Sequence, residues 1–231
     1  MSEWLAPADL EAFMLSLRIA GISVIVSLPA ALGIGWLLSR RRFTGRILVE
    51  AMLFLPLTLP PVVTGYGLLV LLGRNGLLGG WLESIGIVVA FRWTGAVIAA
   101  SMMGFPLLAL SARVAFDNVD QRLESAAETL GAGPWRRFVT IVLPLSASGI
   151  AAGCVLAFAR AFGEFGATIS FVSNIPGETR TLPIAIYELM NVPGGDAGVI
   201  RLSILSLLVA LAATLMAAML GGRFWRNHRR A

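Results

Sequence analysis

Five apolar runs, each long enough to cross a lipid bilayer, constrain this chain more than any other feature of its sequence. They cover residues 13–38, 47–72, 85–110, 145–171 and 200–220. About 20 apolar residues suffice to span the hydrocarbon core. Only 13% of the residues are charged, roughly half the share found in a soluble domain. We therefore predict an all-α integral membrane protein with about five transmembrane helices.

The boundaries of the runs give the expected domain organisation. One membrane domain is predicted over 10–222, followed by an Arg-rich cytoplasmic tail over 223–231. An apolar stretch at 182–189 is too short to span a bilayer. We expect it to lie re-entrant in the membrane or at its interface.

The arginines indicate how the spans are oriented. Twelve of the 18 basic residues lie in three places: after the first run, between the third and fourth runs, and at the C-terminus. With five spans these places share one side, which the positive-inside rule makes cytoplasmic. The C-terminus is then expected in the cytoplasm and the N-terminus outside. The net charge of +5 is thus interpreted as a topology signal, and no nucleic-acid partner is expected.

The residue types that the chain lacks exclude several functions. All 18 basic residues are arginine, so the chain has neither a P-loop lysine nor a Schiff-base lysine. Cys154 is the only cysteine and His228 the only histidine, which is too few for a His/Cys metal site or a disulfide. We predict a protein that is not an enzyme and that needs no cofactor or metal. Any ATP hydrolysis would belong to a separate chain.

A polar segment between the third and fourth runs, 124–144, is predicted to form, with the preceding Leu123, a helix–turn–helix, which we call the docking loop. One face of its first helix carries small or apolar residues with helical spacing: Leu123, Ala126, Ala127 and Leu130. Gly131 and Gly133 would end this helix, and Pro134 suits the start of a second. Trp135, Phe138, Val139 and Val142 would give that helix an apolar side, and Arg136 and Arg137 would lie in water. Such a face could dock into a partner's groove, and the alternative is an ordinary amphipathic hairpin.

The docking loop resembles the EAA loop of the inner-membrane subunits of bacterial ABC importers. The residues expected to form the ATPase-coupling site are Glu124, Ser125, Ala126, Ala127, Glu128, Gly131, Ile141, Leu143 and Pro144. The resemblance implies a type I ABC importer transmembrane fold and coupling helices that sit in a cleft of the ATPase. One position departs from the pattern: the family usually has Glu six residues before the Gly, where this chain has Ser125. Whether Glu124 or Glu128 takes over the missing contact is open at this point.

Candidate residues for a transport path come from the second and fourth runs. Proline and glycine interrupt the second run, and broken backbone at membrane depth is tolerated where it is buried or lines a wet cavity. The fourth run carries two charges four residues apart, expected on one helix face. The candidate path residues are Thr58, Thr64, Tyr66, Arg160, Glu164 and Thr168. The alternatives are helix packing for the polar residues and an internal ion pair for the two charges.

A narrower pattern resembles the permease subunits of bacterial molybdate importers. Gly-Glu-Phe-Gly-Ala-Thr begins at Gly163, Asn-Ile-Pro-Gly begins at Asn174, and Leu-Pro-Pro-Val-Val-Thr-Gly ends at Gly65. The resemblance implies molybdate import, with tungstate close, across the bacterial inner membrane. It also implies a homodimer of permease chains, two cytoplasmic ATPase subunits and a periplasmic molybdate-binding protein. The alternatives are a sulfate or thiosulfate permease, an ion-coupled secondary transporter and a non-transporting membrane anchor.

Overall fold

Helices make up the regular structure in the part of the chain that the structure describes. The structure is a computed structural model and describes residues 6–228, with side chains as far as residue 221. The helices are α1 (Pro7–Arg40), α2 (Arg46–Thr58), α3 (Pro61–Leu72), α4 (Gly79–Ser84), α5 (Trp93–Asp117), α6 (Gln121–Thr129), α7 (Pro134–Arg137), α8 (Leu143–Phe162), α9 (Gly166–Val172), α10 (Leu182–Met190) and α11 (Asp196–His228). A π-helical segment, Phe138–Val142, joins α7 to α8. The predicted tail thus begins as a continuation of α11, and its last three residues lie outside the described part.

Four helices in the described chain are long and apolar enough to cross a membrane: α1, α5, the continuous helix Pro134–Phe162, and α11 over Asp196–Gly221. The remaining predicted run, 47–72, is divided into α2 and α3, which meet at an angle of 109°. Pro60 and Pro61 stand at the break, where they remove two backbone donors. The chain has five candidate spans when this bent pair is counted as one.

Two predicted span boundaries are wrong, because an apolar run shows which residues favour the membrane but not where the helix within it begins or ends. The third run was expected to begin at residue 85, but α5 begins at Trp93. Gly86 and Phe91 have φ values of +80° and +59°, and left-handed backbone interrupts a helix. The fourth run was expected over 145–171, but its helix ends at Phe162 and α9 follows as a separate element.

The central helix of the bundle is α5, which packs against α1 and α8 through small residues. A Cβ at Gly35 of α1 would lie 3.0 Å from the Cβ of Ala112 on α5. A Cβ at Gly104 of α5 would lie 3.1 Å from the carbonyl oxygen of Ala157 on α8. Glycine and alanine at these positions let membrane helices approach closely. The bundle therefore derives much of its cohesion from close backbone packing.

Ion pairs show which helix ends lie together. Arg113 near the end of α5 is 3.0 Å from Glu50 in the first turns of α2. At the opposite end of the bundle, Arg201 of α11 is 3.1 Å from Asp9 of α1. The N-terminus of α1 thus lies at the end away from the docking loop, which follows α5.

Candidate functional site

A Schellman motif at Gly131 separates the two helices of the docking loop. The N–H of Ala132 donates to the carbonyl of Ala127 at 3.0 Å, and the N–H of Gly131 donates to the carbonyl of Glu128 at 2.9 Å. Gly131 has φ +82°, a conformation that glycine adopts without steric cost. Among the described residues, nothing lies within 4 Å of the position a Cβ would take. The backbone conformation, and not lack of space, therefore requires glycine here, and the predicted helix end is confirmed.

Several apolar side chains of the docking loop face outward. Leu130 is 88% exposed and Trp135 is 75% exposed. Leu123 and Val139 are exposed to a lesser degree. Exposed large apolar side chains on a polar loop are typical of an interaction surface. No other described part of the chain covers these apolar side chains, so they are exposed to a partner.

The first docking helix is tied to the end of α1 by an ion pair that sequence reasoning missed. Glu124 Oε1 lies 2.7 Å from Arg40 Nη2, and the two side chains are 20% and 10% exposed. The same guanidinium donates to the carbonyl of Val119 at 3.4 Å. The hydroxyl of Ser125 donates to the carbonyl of Gln121 within α6. Glu124 therefore forms an ion pair with α1, whereas Ser125 bonds only to the backbone of its own helix.

Glu128 makes the second internal contact of the loop. Arg137 Nη1 donates to Glu128 Oε2 at 2.6 Å, and the Arg137 side chain is only 18% exposed. The expectation that Arg137 lies in water is therefore wrong, because the carboxylate of Glu128 holds the guanidinium against α6. Arg136 is exposed, as predicted. Both acids beside Ser125 are engaged within the chain.

The second docking helix continues directly into the fourth span. Pro134–Phe162 is one helix of 29 residues. Pro144 lacks an N–H, and its ring would crowd the carbonyl of Thr140 four residues earlier. The helix accommodates this proline by widening into a π turn, in which the N–H of Leu143 bonds to the carbonyl of Phe138. Of the remaining predicted coupling residues, Ile141 is half-buried and Pro144 is exposed.

Arg160 and Glu164 form a direct ion pair in which the Glu164 side chain is 2% exposed. We expected the two residues on one helix face, but α8 ends at Phe162 and Glu164 lies in the turn that follows. The second carboxylate oxygen of Glu164 accepts the N–H of Ala167 at 2.9 Å, so the residue also caps α9. The pair therefore fixes the turn between α8 and α9.

The close contact between α3 and α9 brings two of the candidate path residues into one region. A Cβ at Gly65 of α3 would lie 2.8 Å from the Cα of Ala167 on α9. Thr64 and Thr168, the neighbours of these residues, are both buried. The Thr64 hydroxyl has no hydrogen-bond partner within the described chain. Buried hydroxyls are usually paired, so the unpaired hydroxyl of Thr64 is unusual among the candidate path residues.

The side chains of the last two candidate path residues are exposed. Tyr66 is 64% exposed. Thr58 is exposed at the end of α2, and its hydroxyl donates to the carbonyl of Leu55 at 3.0 Å. The Thr58 hydroxyl is therefore hydrogen-bonded within its own helix, as the alternative of a role in helix packing predicts. Among residues 6–221, no group of three His, Cys, Asp or Glu side chains is placed to hold a metal ion.

Known proteins resemble this chain along nearly its whole length. Residues 28–226 match the family described as binding-protein-dependent transport system inner membrane component. The chain is 52% identical over 213 residues to the molybdenum transport system permease protein ModB of Escherichia coli (strain K12), which covers 92% of this chain and 93% of that protein. It is 46% identical over 220 residues to ModB of Haemophilus influenzae, covering 95% of this chain and 96% of that protein.

A solved structure shares the fold. A chain of the bacterial alginate ABC transporter in complex with an alginate pentasaccharide-bound periplasmic protein superimposes with a TM-score of 0.70. The match covers 94% of this chain and 80% of that chain at 19% sequence identity. At that identity the likeness concerns the arrangement of the helices alone.

Proposed function

The chain belongs to the family of inner membrane components of binding-protein-dependent transport systems, and from this premise we propose that it forms the membrane pathway of an ATP-driven molybdate importer. It has the type I ABC importer transmembrane fold that the sequence predicted. It is a transport subunit and not an enzyme. The observation that carries the molybdate assignment is the 52% identity to a molybdenum permease across 92% of the chain.

The proposed partners follow from the surfaces of the chain and from its family. Two cytoplasmic ATPase subunits would each bind a docking loop through its exposed apolar anchors, Leu130 and Trp135. A periplasmic binding protein would deliver the oxyanion at the opposite end. Two copies of this chain would enclose the path about a two-fold axis, because few spans are available in one copy.

The continuous helix Pro134–Phe162 provides a mechanical link in this proposal. At 1.5 Å per residue its 29 residues extend roughly 43 Å. It begins in the docking loop and ends beside the Arg160–Glu164 pair, which fixes the turn into α9. Closure of the ATPase dimer would draw the docking loops together, and this helix would carry the displacement to the contact between α3 and α9. Opening of that contact would admit the oxyanion from outside.

The charges of the described spans favour a conduit over a high-affinity site. Arg160 is engaged by Glu164 and is not free to hold a dianion tightly. Hydroxyl and backbone donors would pass the anion along, since a conduit has to release what it admits. Selection would then reside in the binding protein, and tungstate, a tetrahedral dianion like molybdate, would share the path.

Reconstitution of the chain with its ATPase and binding protein tests the proposal. ATP hydrolysis should rise when molybdate or tungstate is supplied and stay basal when sulfate is supplied, because the binding protein would not carry sulfate. Leu130→Glu places a charge on an 88% exposed anchor, so it should abolish the stimulation without preventing membrane insertion. If sulfate stimulated ATP hydrolysis and molybdate did not, the molybdate assignment would be wrong. Failure of the chain to assemble with any P-loop ATPase would contradict the importer class.

A further inference from the structure

A polar cavity of about 270 Å³ lies between the end of α1 and the docking loop. Its lining includes three arginines, Arg40, Arg41 and Arg137, and one acid, Glu124. The opposite charges only partly cancel: Arg40 pairs with Glu124 and Arg137 pairs with Glu128, which leaves Arg41 in excess. The cavity therefore carries a net positive charge where the end of α1 meets the docking loop.

Buried donors on this lining have no acceptor within the described chain. They are Trp36 Nε1, Arg40 Nε and Arg137 Nε. The Arg40 side chain is nine-tenths buried, with 10% of its surface exposed. Glu124 Oε1 lies 2.7 Å from Arg40 Nη2, but this ion pair lacks hydrogen-bond alignment. The lining therefore also carries one buried acceptor, Glu124 Oε1, without a hydrogen-bond partner in the described chain, against three such donors. Buried donors in proteins are almost always paired, so a group rich in acceptor oxygens would complete this site.

An apolar groove adjoins the polar cavity. It has a volume of about 620 Å³, and its lining includes Pro29, Leu32, Gly33, Trp135 and Leu143. Trp36, Pro134 and Phe138 line both the groove and the polar cavity. The groove runs along the last turns of α1, next to the start of the span that follows the docking loop. A polar cavity lined by three arginines thus adjoins an apolar groove at one end of the bundle.

We propose that the two cavities together bind one anionic phospholipid, with the headgroup phosphate among the arginines and an acyl chain in the groove. Basic pockets between membrane helices on the cytoplasmic side accept lipid phosphates, and the apolar groove distinguishes a lipid from a free oxyanion. The choice of leaflet rests on the proposed orientation of the chain. A bound lipid would hold α1 against the docking loop and so maintain the position of the coupling helices.

Native mass spectrometry of the purified chain, with the subunits that accompany it, tests the headgroup site. Phosphatidylglycerol should be retained in preference to phosphatidylcholine. Arg41→Gln should weaken this retention about fivefold, which corresponds to about 1 kcal/mol per arginine near an anionic surface. Arg42→Gln is the matched control, because Arg42 is the next residue but does not line the cavity. Equal retention of the two lipids, or equal loss in the two variants, would overturn the proposal.

A second pair of variants tests the groove. Neither Gly33 nor Gly21 has a described neighbouring atom beyond its own helical turn within 4 Å of the position a Cβ would take, so both positions have room for the first atom of a side chain. Gly33→Leu should fill the groove and lower phosphatidylglycerol retention, whereas Gly21→Leu on the same helix should not. Displacement of the lipid by millimolar inorganic phosphate, with no effect of Gly33→Leu, would identify a free-anion site and overturn the lipid proposal. Lipid retention needs no transport substrate, so this outcome is independent of the molybdate assignment.

Discussion

Glu124 on the first docking helix lies 2.7 Å from Arg40 at the end of α1, and both side chains are largely buried. The family's usual glutamate would fall one residue later, at Ser125. The displaced acid is used for a contact within the chain, which fastens the docking loop to the first span. We infer that the ATPase contact depends on the exposed apolar residues of the loop, because both neighbouring acids are already engaged.

Loss of the Arg40–Glu124 pair should destabilise the protein. Glu124→Gln and Arg40→Gln should each lower the free energy of unfolding by about 2 kcal/mol, since a buried charged group loses its partner. The exchanged pair, Arg40→Glu with Glu124→Arg, should recover part of that loss. Thermal unfolding of the purified complex measures the effect. Arg74→Gln is the control, because the Arg74–Glu83 pair is largely exposed and should contribute little; an equal cost there would contradict the account.

Gly131 should be essential for coupling because of its φ of +82°. Gly131→Val should leave the protein in the membrane but weaken ATPase binding and stop uptake, since a branched side chain resists left-handed backbone. Gly131→Asn should retain more activity, because asparagine tolerates this conformation. Gly133→Ala serves as the control, since Gly133 has φ −68° and open space around it. The amount of ATPase that co-purifies with each variant measures the effect. Normal uptake by the Gly131→Val variant would contradict a role of Gly131 in coupling.

Loss of either partner of the Arg160–Glu164 pair should lower the amount of protein in the membrane. Arg160→Ala leaves an uncompensated carboxylate on Glu164, whose side chain is 2% exposed. Glu164→Ala leaves Arg160 unpaired and removes the cap that accepts the N–H of Ala167. The double variant should recover part of the level lost in each single variant. Normal protein levels with impaired transport in every variant would mean instead that the pair lines the path.

The proposed orientation places the docking loop and the C-terminus in the cytoplasm. Reporter fusions at Arg42, Arg136 and Arg230 should all give a cytoplasmic signal, because the arginine-rich connections share one side of the membrane. A periplasmic signal at Arg136 would contradict the orientation and remove the docking loop from the reach of any cytoplasmic ATPase.

The features that sequence predicted best are those with a local cause. The end of α6 follows from Gly131 and its Schellman hydrogen bonds, which depend on neighbouring residues only. The long apolar helices likewise follow from their composition, and α10 occupies the short apolar stretch expected at 182–189.

The features that could not be predicted from the sequence are changes in helix direction and contacts between residues far apart in the chain. Hydropathy predicts membrane depth but not the 109° bend between α2 and α3 or the separation of α9 from α8. The partner of Glu124 is Arg40, more than 80 residues away, and the chain offers many other arginines. The merger of the docking loop with the fourth span depends on a π turn before Pro144, for which the sequence carries only the proline as a signal.

Uptake of labelled molybdate at low external concentration tests the central claim most directly. A strain that lacks this chain should lose most of that uptake and regain it when the chain is supplied from a plasmid. Tungstate should compete with the restored uptake, and sulfate uptake should be unchanged by the deletion. Unchanged molybdate uptake in the deletion strain, together with lost uptake of sulfate, would contradict the molybdate assignment.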